Sequence, residues 1–445
     1  MGNIGIVGGG MLGMSLALEL SRQGHRVTIL EGAASVGGLA SPARIGEYTW
    51  DRFYHVTLLS DRSLGRLLEE IGLRDKLRWG VTRTGVYGNG KLYSVSTSLE
   101  FLTFPLLSLL DKARLAGTIL YASRLRDGRP LEAIPVAQWL QRLSGRRTFE
   151  RLWLPLLKAK LGDNYRLASA SFIWAIIARM YGARRSGLKR EMFGYVDGGY
   201  DTVLRRLYEH LLQRGVTVQL GQRVREIRGG SGGAVVATID GKIHEFDDVI
   251  VTLPCPRVAQ LVPALTQGER DRLGRVIYQG VLCASLLLRR PLGGFYVTNI
   301  TDAGLPFTAV IEMTALVDRE RFGGHTLVYL PRYLAQEDGY WSRTDAEVKE
   351  EFLRGLKAMY PDLKREDVLA FEIARVKEVL AIATLNYSRE ALPPMVTSVD
   401  HVYVVNSAQI ANGTLNVNET VALAERQAQA LSSRLQSRPL AGSLQ

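Results

Sequence analysis

The chain has 445 residues, 46% of them hydrophobic, and a net charge of +12; that length exceeds what one core usually supports, so two domains are expected. Two cysteines and six histidines without a C-x-x-C pair leave neither a disulfide framework nor a metal site to expect. The basic balance suits phosphate-rich ligands or an anionic membrane surface, but the basic residues are scattered without a reader motif or aromatic interleaving, so no nucleic-acid partner is expected.

The first element is a short β-branched run, Ile4, Ile6 and Val7, that suits a buried parallel strand. Gly8, Gly10 and Gly13 follow at once in G-x-G-x-x-G spacing. The first two let the backbone turn and approach a pyrophosphate. Gly13 lets the helix Met11 to Gln23 press on the sheet, with the amides of Met11, Leu12 and Gly13 facing the phosphates. Val27 to Leu30 form the second strand. Glu31 ends it eighteen residues after Gly13, beside Gly32, where a carboxylate accepts hydrogen bonds from an adenosine ribose. A glycine-rich turn without a ligand would share the glycines but not this order of strand, helix, strand and acid. Because the fingerprint begins at residue 4, no signal peptide is expected, and Ile6 breaks the myristoylation pattern of MGNIGI. A cytoplasmic location follows, with peripheral attachment to the inner membrane face left open.

Directly after the acid comes GAASVGGLASPARIGEYTWDRFYHV, with Gly37-Gly38 and then Ser41. This doublet resembles the second FAD-binding motif of the flavin amine oxidase, protoporphyrinogen oxidase and phytoene desaturase superfamily, which implies FAD contacts at Gly38, Leu39 and Ala40. The family more often has Arg or Lys where this chain has Leu39; Arg44 or Arg52 is the expected replacement. DRFYHVTLLSDRSLGRLLEEIGL and FERLWLPLLKAKLGDNYRLASASFIWA resemble the bacterial protoporphyrinogen oxidase-like branch, with Val56 where a second His often stands.

Between these blocks, LEFLTFPLLSLLDKARLAGTILYASRLR carries ten nearly all-apolar residues, Phe101 to Leu110, followed by Lys112, Arg114, Arg124 and Arg126. The run is too short to span a bilayer and is interrupted by Pro105. It reads as a helix in the substrate-domain core or as an interfacial helix.

YVDGGYDTVLRRLYEHLLQRGVTVQL is similar to the family's Gly-Gly turn, helix and strand, and the following GQRVREI offers Val224 to the adenine. GGSGG, residues 229 to 233, reads as a hairpin tip. FDDVIVTLPCP resembles the strand that returns to the FAD domain, with Thr252 in its exit turn. GVLCASLLLRR and HTLVYLPR read as strands, and DAEVKEEFLRGLKAMY as a helix. The last block, VDHVYVVNSAQIANGTLNVNETVALAERQAQAL, is a strand, a loop and a long helix; the resemblance implies that this helix points at the flavin, with Leu415, Asn416 and Val417 at its start. Asn416 or Asn418 is the expected cap. Relatives place Gly-Asp or Gly-Glu where this chain has Asn406-Ser407, both still able to hydrogen-bond hydroxyls. The block has no Cys, so a cysteinyl flavin is excluded there and FAD is expected to be non-covalent.

These readings give an α/β fold class. A Rossmann-like FAD-binding domain of the glutathione-reductase type is assembled from 1–80, 195–254 and 394–436. An α+β substrate domain is inserted discontinuously as 81–194, which is helical, and 255–393; the tail 437–445 is expected to be disordered. The expected activity is FAD-dependent oxidation of a hydrophobic or amine-bearing small molecule, with oxygen or a quinone as acceptor. A sugar-nucleotide isomerase resembling UDP-galactopyranose mutase and a non-catalytic flavoprotein or membrane adaptor are the alternatives. Candidate catalytic residues are His55, as general base or flavin-face donor, Tyr54, and Lys160, as a group of lowered pKa or a binder of substrate anion. A purely structural His55 stays open. Trp153, Trp174 and Tyr181 either line the cavity or pack the core.

Overall fold

The computed structural model describes residues 2–182 and 192–436, so the expected tail 437–445 lies outside the described residues. The opening stretch folds as strand β1 (Asn3–Val7), helix α1 (Met11–Arg22) and strand β2 (Arg26–Leu30). β1 and β2 pair in parallel, Ile6 opposite Ile29, as a right-handed βαβ crossover requires. The sheet is completed by Val402–Val404 and Asp248–Val251 on one side and Thr217–Gln219 on the other, all parallel. Ile4, Ile6, Leu16, Leu20, Val27 and Ile29 are buried against the helices Gly199–Gln213 and Val417–Gln436. A three-stranded antiparallel meander, Val224–Gly230, Gly233–Thr238 and Ile243–Phe246, is also present. Its first hairpin turns at Ser231 and Gly232, the expected GGSGG tip.

The second sheet has seven strands in the order Val368–Ala381, Tyr278–Leu288, Thr326–Leu334, Ala309–Glu312, Val297–Ile300, Thr84–Gly88 and Lys91–Ser94. All neighbours are antiparallel except Val297–Ile300 beside Thr84–Gly88. The last two strands correct the expectation that residues 81–194 are helical. Asn89 and Gly90 both have positive φ, 53° and 69°, and close a tight hairpin that adds to the sheet edge. The rest of that insertion is mainly helical and packs one face of the sheet.

The apolar run Phe101 to Leu110 is not one helix. Ser98–Thr103 ends before Phe104-Pro105, and a new helix, Leu109–Arg124, starts at a capping box made by Ser108 and Asp111. The break sends Phe104, Leu106 and Leu107 into the core and leaves Leu99, Leu102, Leu109 and Leu110 exposed. Lys112 does not join a basic surface: it is buried, and its Nζ donates to the Leu102 carbonyl at 2.6 Å. No helix among the described residues is long and apolar enough to cross a membrane. Trp153 and Trp174 are core residues whose indole N–H groups bond Ser144 Oγ and the Ala122 carbonyl; Tyr181 is exposed.

Candidate functional site

The two glycine turns meet at the carboxyl end of the parallel sheet. Gly37 N–H donates to the Gly9 carbonyl at 2.8 Å, and Gly10 bridges to Gly37. Gly8 sits at φ +112°, and a Cβ there would lie 2.4 Å from Thr252 Oγ1. That hydroxyl donates to the Val7 carbonyl at 2.9 Å, fastening the exit turn of one strand onto the end of β1. A Cβ on Gly13 would lie 1.9 Å from the Gly8 carbonyl oxygen, so only glycine lets α1 approach this closely.

Gly10 is different. Its φ is −72°, and a Cβ there would meet nothing nearer than Gly38 Cα at 3.8 Å. The folded protein itself therefore has room for a Cβ at Gly10, in ordinary van der Waals contact with the Gly37-Gly38 turn. Gly10 also gives α1 no side-chain cap, so the first-turn amides of Met11, Leu12 and Gly13 have no helical partner. A helix start whose amides no side chain covers is the space an anionic pyrophosphate requires.

Around this space Glu31 accepts from Gly9 N–H at 2.6 Å and from Ala33 N–H, just past Gly32, at 2.8 Å. Its remaining lone pairs are available to ribose hydroxyls. Gln222 N–H donates to the Glu31 carbonyl at 2.8 Å, which brings the start of the strand at Val224 to the same end of the sheet. Gly38, Leu39 and Ala40 form a single helical turn. Arg52 Nη2 donates to the Gly38 carbonyl at 2.5 Å, and Arg52 Nε is buried without a partner. Arg44 instead donates to the Gly46 carbonyl at an exposed turn, so of the two expected replacements only Arg52 reaches the Gly38 turn.

At the C-terminal block, Asn416 Oδ1 accepts from Glu419 N–H at 3.0 Å and caps the last helix, between half-buried Leu415 and buried Val417. Asn418 is engaged elsewhere, accepting from Leu64 N–H at 3.1 Å. The expectation for Asn406 needs correction. It is 1% exposed, its Nδ2 donates to the Leu253 carbonyl at 3.0 Å, and its Oδ1 accepts from Ala408 N–H at 3.1 Å. The strand end turns this side chain inward, where it ties the two loops together rather than meeting a ligand hydroxyl. Ser407 is half-buried, and its hydroxyl has no hydrogen-bond partner among the described residues.

The segment 52–55 runs from the Gly38 turn toward the seven-stranded sheet. His55 Nδ1 stands 3.6 Å from Asp51 Oδ2, an electrostatic approach longer than a hydrogen bond, and its ring lies 4.7 Å from that of Tyr200. Asp51, 2% exposed, is itself fixed: Oδ1 accepts from Tyr200 N–H at 2.6 Å at the start of helix Gly199–Gln213. Tyr329 Oη also donates to the Asp51 carbonyl at 2.5 Å. Tyr54 Oη meets Tyr333 Oη at 2.8 Å, and Lys160 Nζ donates to Tyr333 Oη at 2.6 Å. Burial, reinforced by Tyr333, pushes the Tyr54 hydroxyl well above its ordinary pKa, so Tyr54 stays a neutral donor. Two expected residues, Tyr54 and Lys160, are thus joined through Tyr333. Asp51 and Tyr333 were absent from the sequence reading.

A model of the family described as flavin containing amine oxidoreductase matches residues 12–431. Zeta-carotene desaturase from Synechocystis sp. is 22% identical over 85% of this chain and 86% of its own length. The chain spans 49% to 66% of the plant carotenoid desaturases it matches. Protoporphyrinogen oxidase 2 of Arabidopsis thaliana is 26% identical over 35% of this chain and 31% of its own length. Among solved structures, putrescine oxidase bound to putrescine superposes with a TM-score of 0.74 at 17% identity, covering 97% of this chain and 99% of that one.

Proposed function

The chain belongs to the flavin containing amine oxidoreductase family, and on that premise we propose that it oxidises a hydrophobic small molecule using FAD held non-covalently between the two glycine turns. The observation that carries this reading is the helix start at Gly10, where the fold would tolerate a Cβ but no side chain covers the uncapped first-turn amides. The unpartnered Nε of Arg52 beside Gly38 supports it as a second donor for the pyrophosphate. Both features suit a doubly charged anion, and Glu31 beyond them suits a ribose.

When bound, FAD supplies a two-electron acceptor. This chain's own residues bind, orient and move the proton. With Nδ1 turned to Asp51, His55 keeps Nε2 as the nitrogen available to accept a substrate proton. Asp51 cannot swing away, because the amide of Tyr200 and the surrounding aromatic rings hold it, and it stabilises the imidazolium that results. Tyr54, kept neutral, donates a hydrogen bond rather than serving as a base. Val281, Cys283 and Tyr329 on the facing strands provide an apolar wall that excludes water. The last helix, capped by Asn416, directs its positive end toward negative charge developing nearby.

The carotenoid desaturase and protoporphyrinogen oxidase relatives favour a hydrophobic substrate, and oxygen or a quinone is the acceptor this reading carries. The expected result is that purified protein shows flavin absorbance and that acid precipitation releases all of it as FAD. Flavin remaining in the pellet would contradict non-covalent binding, and colourless protein that takes up no added FAD would contradict the reading as a whole.

A further inference from the structure

The helical insertion sets Leu154–Leu161 against the end of strand Thr326–Leu334. There Lys160 Nζ donates to Tyr333 Oη at 2.6 Å and stands 4.0 Å from the Tyr333 ring centre. Lys160 is half-buried, and among the described residues no carboxylate pairs with it. Because an ammonium only donates, Tyr333 Oη accepts from it, and the Tyr333 proton is free to go to Tyr54 Oη at 2.8 Å. That leaves the Tyr54 proton for a ligand. Tyr54 is half-buried and keeps some accessible surface.

One helical turn beyond Lys160, Asn164 Nδ2 donates to Gln279 Oε1 at 3.2 Å. Gln279 is fully buried, and its Nε2 has no partner. The strand register places Val281 opposite both Tyr333 and Val376, so by alternation Gln279, Val281, Cys283, Tyr333 and Tyr329 share one sheet face. That face packs against Trp50, Phe53 and Tyr54. It is apolar along most of its length and ends in an unpaired cation and an unpaired amide donor.

A half-buried ammonium without a counter-ion and a buried amide proton without an acceptor both lack an anionic oxygen. We infer that Lys160, with Tyr54, Tyr333 and Gln279 Nε2, binds the carboxylate of an otherwise apolar substrate, and that this pole selects amphipathic carboxylates over amines. The inference deepens the proposed function and rests on its reading that this face is the substrate side of the flavin site. The fold is shared with putrescine oxidase, but a protonated amine placed here would meet Lys160 with like charge.

The test titrates flavin-loaded protein with decanoate, decanol and decylamine, following heat of binding and perturbation of the flavin spectrum together. Decanoate is expected to bind at least tenfold more tightly than decanol, with decylamine weakest. Lys160→Met should cost decanoate tenfold or more and leave decanol unchanged, whereas Lys160→Arg, which keeps the charge, should stay within a few-fold of the parent. Gln279→Leu gives a second, uncharged test and should weaken decanoate selectively. Decylamine binding as tight as decanoate, or decanoate binding indifferent to Lys160→Met in flavin-loaded protein, would overturn the carboxylate pole and leave the flavin reading intact. Lys160-dependent heat without any flavin perturbation would uphold the pole and overturn its placement beside the flavin.

Discussion

Gly10→Val yields a folded protein that holds no FAD. A Cβ added at Gly10 would come no nearer than 3.8 Å to its surroundings, an ordinary contact, and φ there is −72°, a value any residue adopts. The added Cβ is therefore tolerated by the fold, and the melting temperature of the apoprotein should fall by no more than a few degrees. What the valine fills is the approach to the α1 amides, so flavin content should fall below a tenth of the parent's. Gly13→Ala is the control of opposite kind. Its Cβ would lie 1.9 Å from a backbone oxygen, and the resulting overpacking should cost about 3 kcal/mol or more of stability. Glu31→Ala falls between them, losing one charge-assisted contact of about 1.5–3 kcal/mol in FAD binding. Flavin content tracks ligand loss, and thermal unfolding of the stripped proteins tracks fold loss. A Gly10→Val variant that retains FAD would displace the pyrophosphate from this turn.

His55→Ala, fully loaded with flavin, should reduce its flavin at least about 10²-fold more slowly than the parent under anaerobic single turnover. His55 is the proton acceptor nearest a fixed carboxylate on the segment leading from the Gly38 turn. Asp51→Asn should give a smaller loss, because the amide still accepts from Tyr200 N–H but no longer stabilises a charged imidazole. Tyr54, raised well above its ordinary value by burial, adds no alkaline limb below about pH 10. A normal rate in flavin-loaded His55→Ala would remove His55 from the chemistry.

The first turn was legible because its requirements are local. Gly8, Gly10, Gly13 and Glu31 lie within one βαβ unit, and their spacing states the backbone geometry directly. The proposed substrate side was legible only in halves. Tyr54 and Lys160 could be picked out as polar groups in apolar surroundings, but Tyr333, which joins them, is 279 residues from one and 173 from the other. Asp51 closes a short strand with no motif of its own, and its fixing depends on an amide at Tyr200 that only the folded chain supplies. The hairpin at Asn89-Gly90 carried a signal that could have been used, since that pair between alternating residues favours a tight turn with two positive φ angles. Asn406 misled because its polarity suggested a ligand, whereas the strand end spends that polarity on two loops of the protein itself.

Anaerobic mixing of the flavin-loaded protein with amphipathic and apolar candidate substrates tests the central claim most directly, with visible absorbance as the readout. The account predicts that a substrate bleaches the oxidised flavin without added reductant, and that oxygen or a quinone restores the colour as one product forms per flavin. Turnover that begins only after dithionite reduction, with no substrate-driven bleaching, would contradict it.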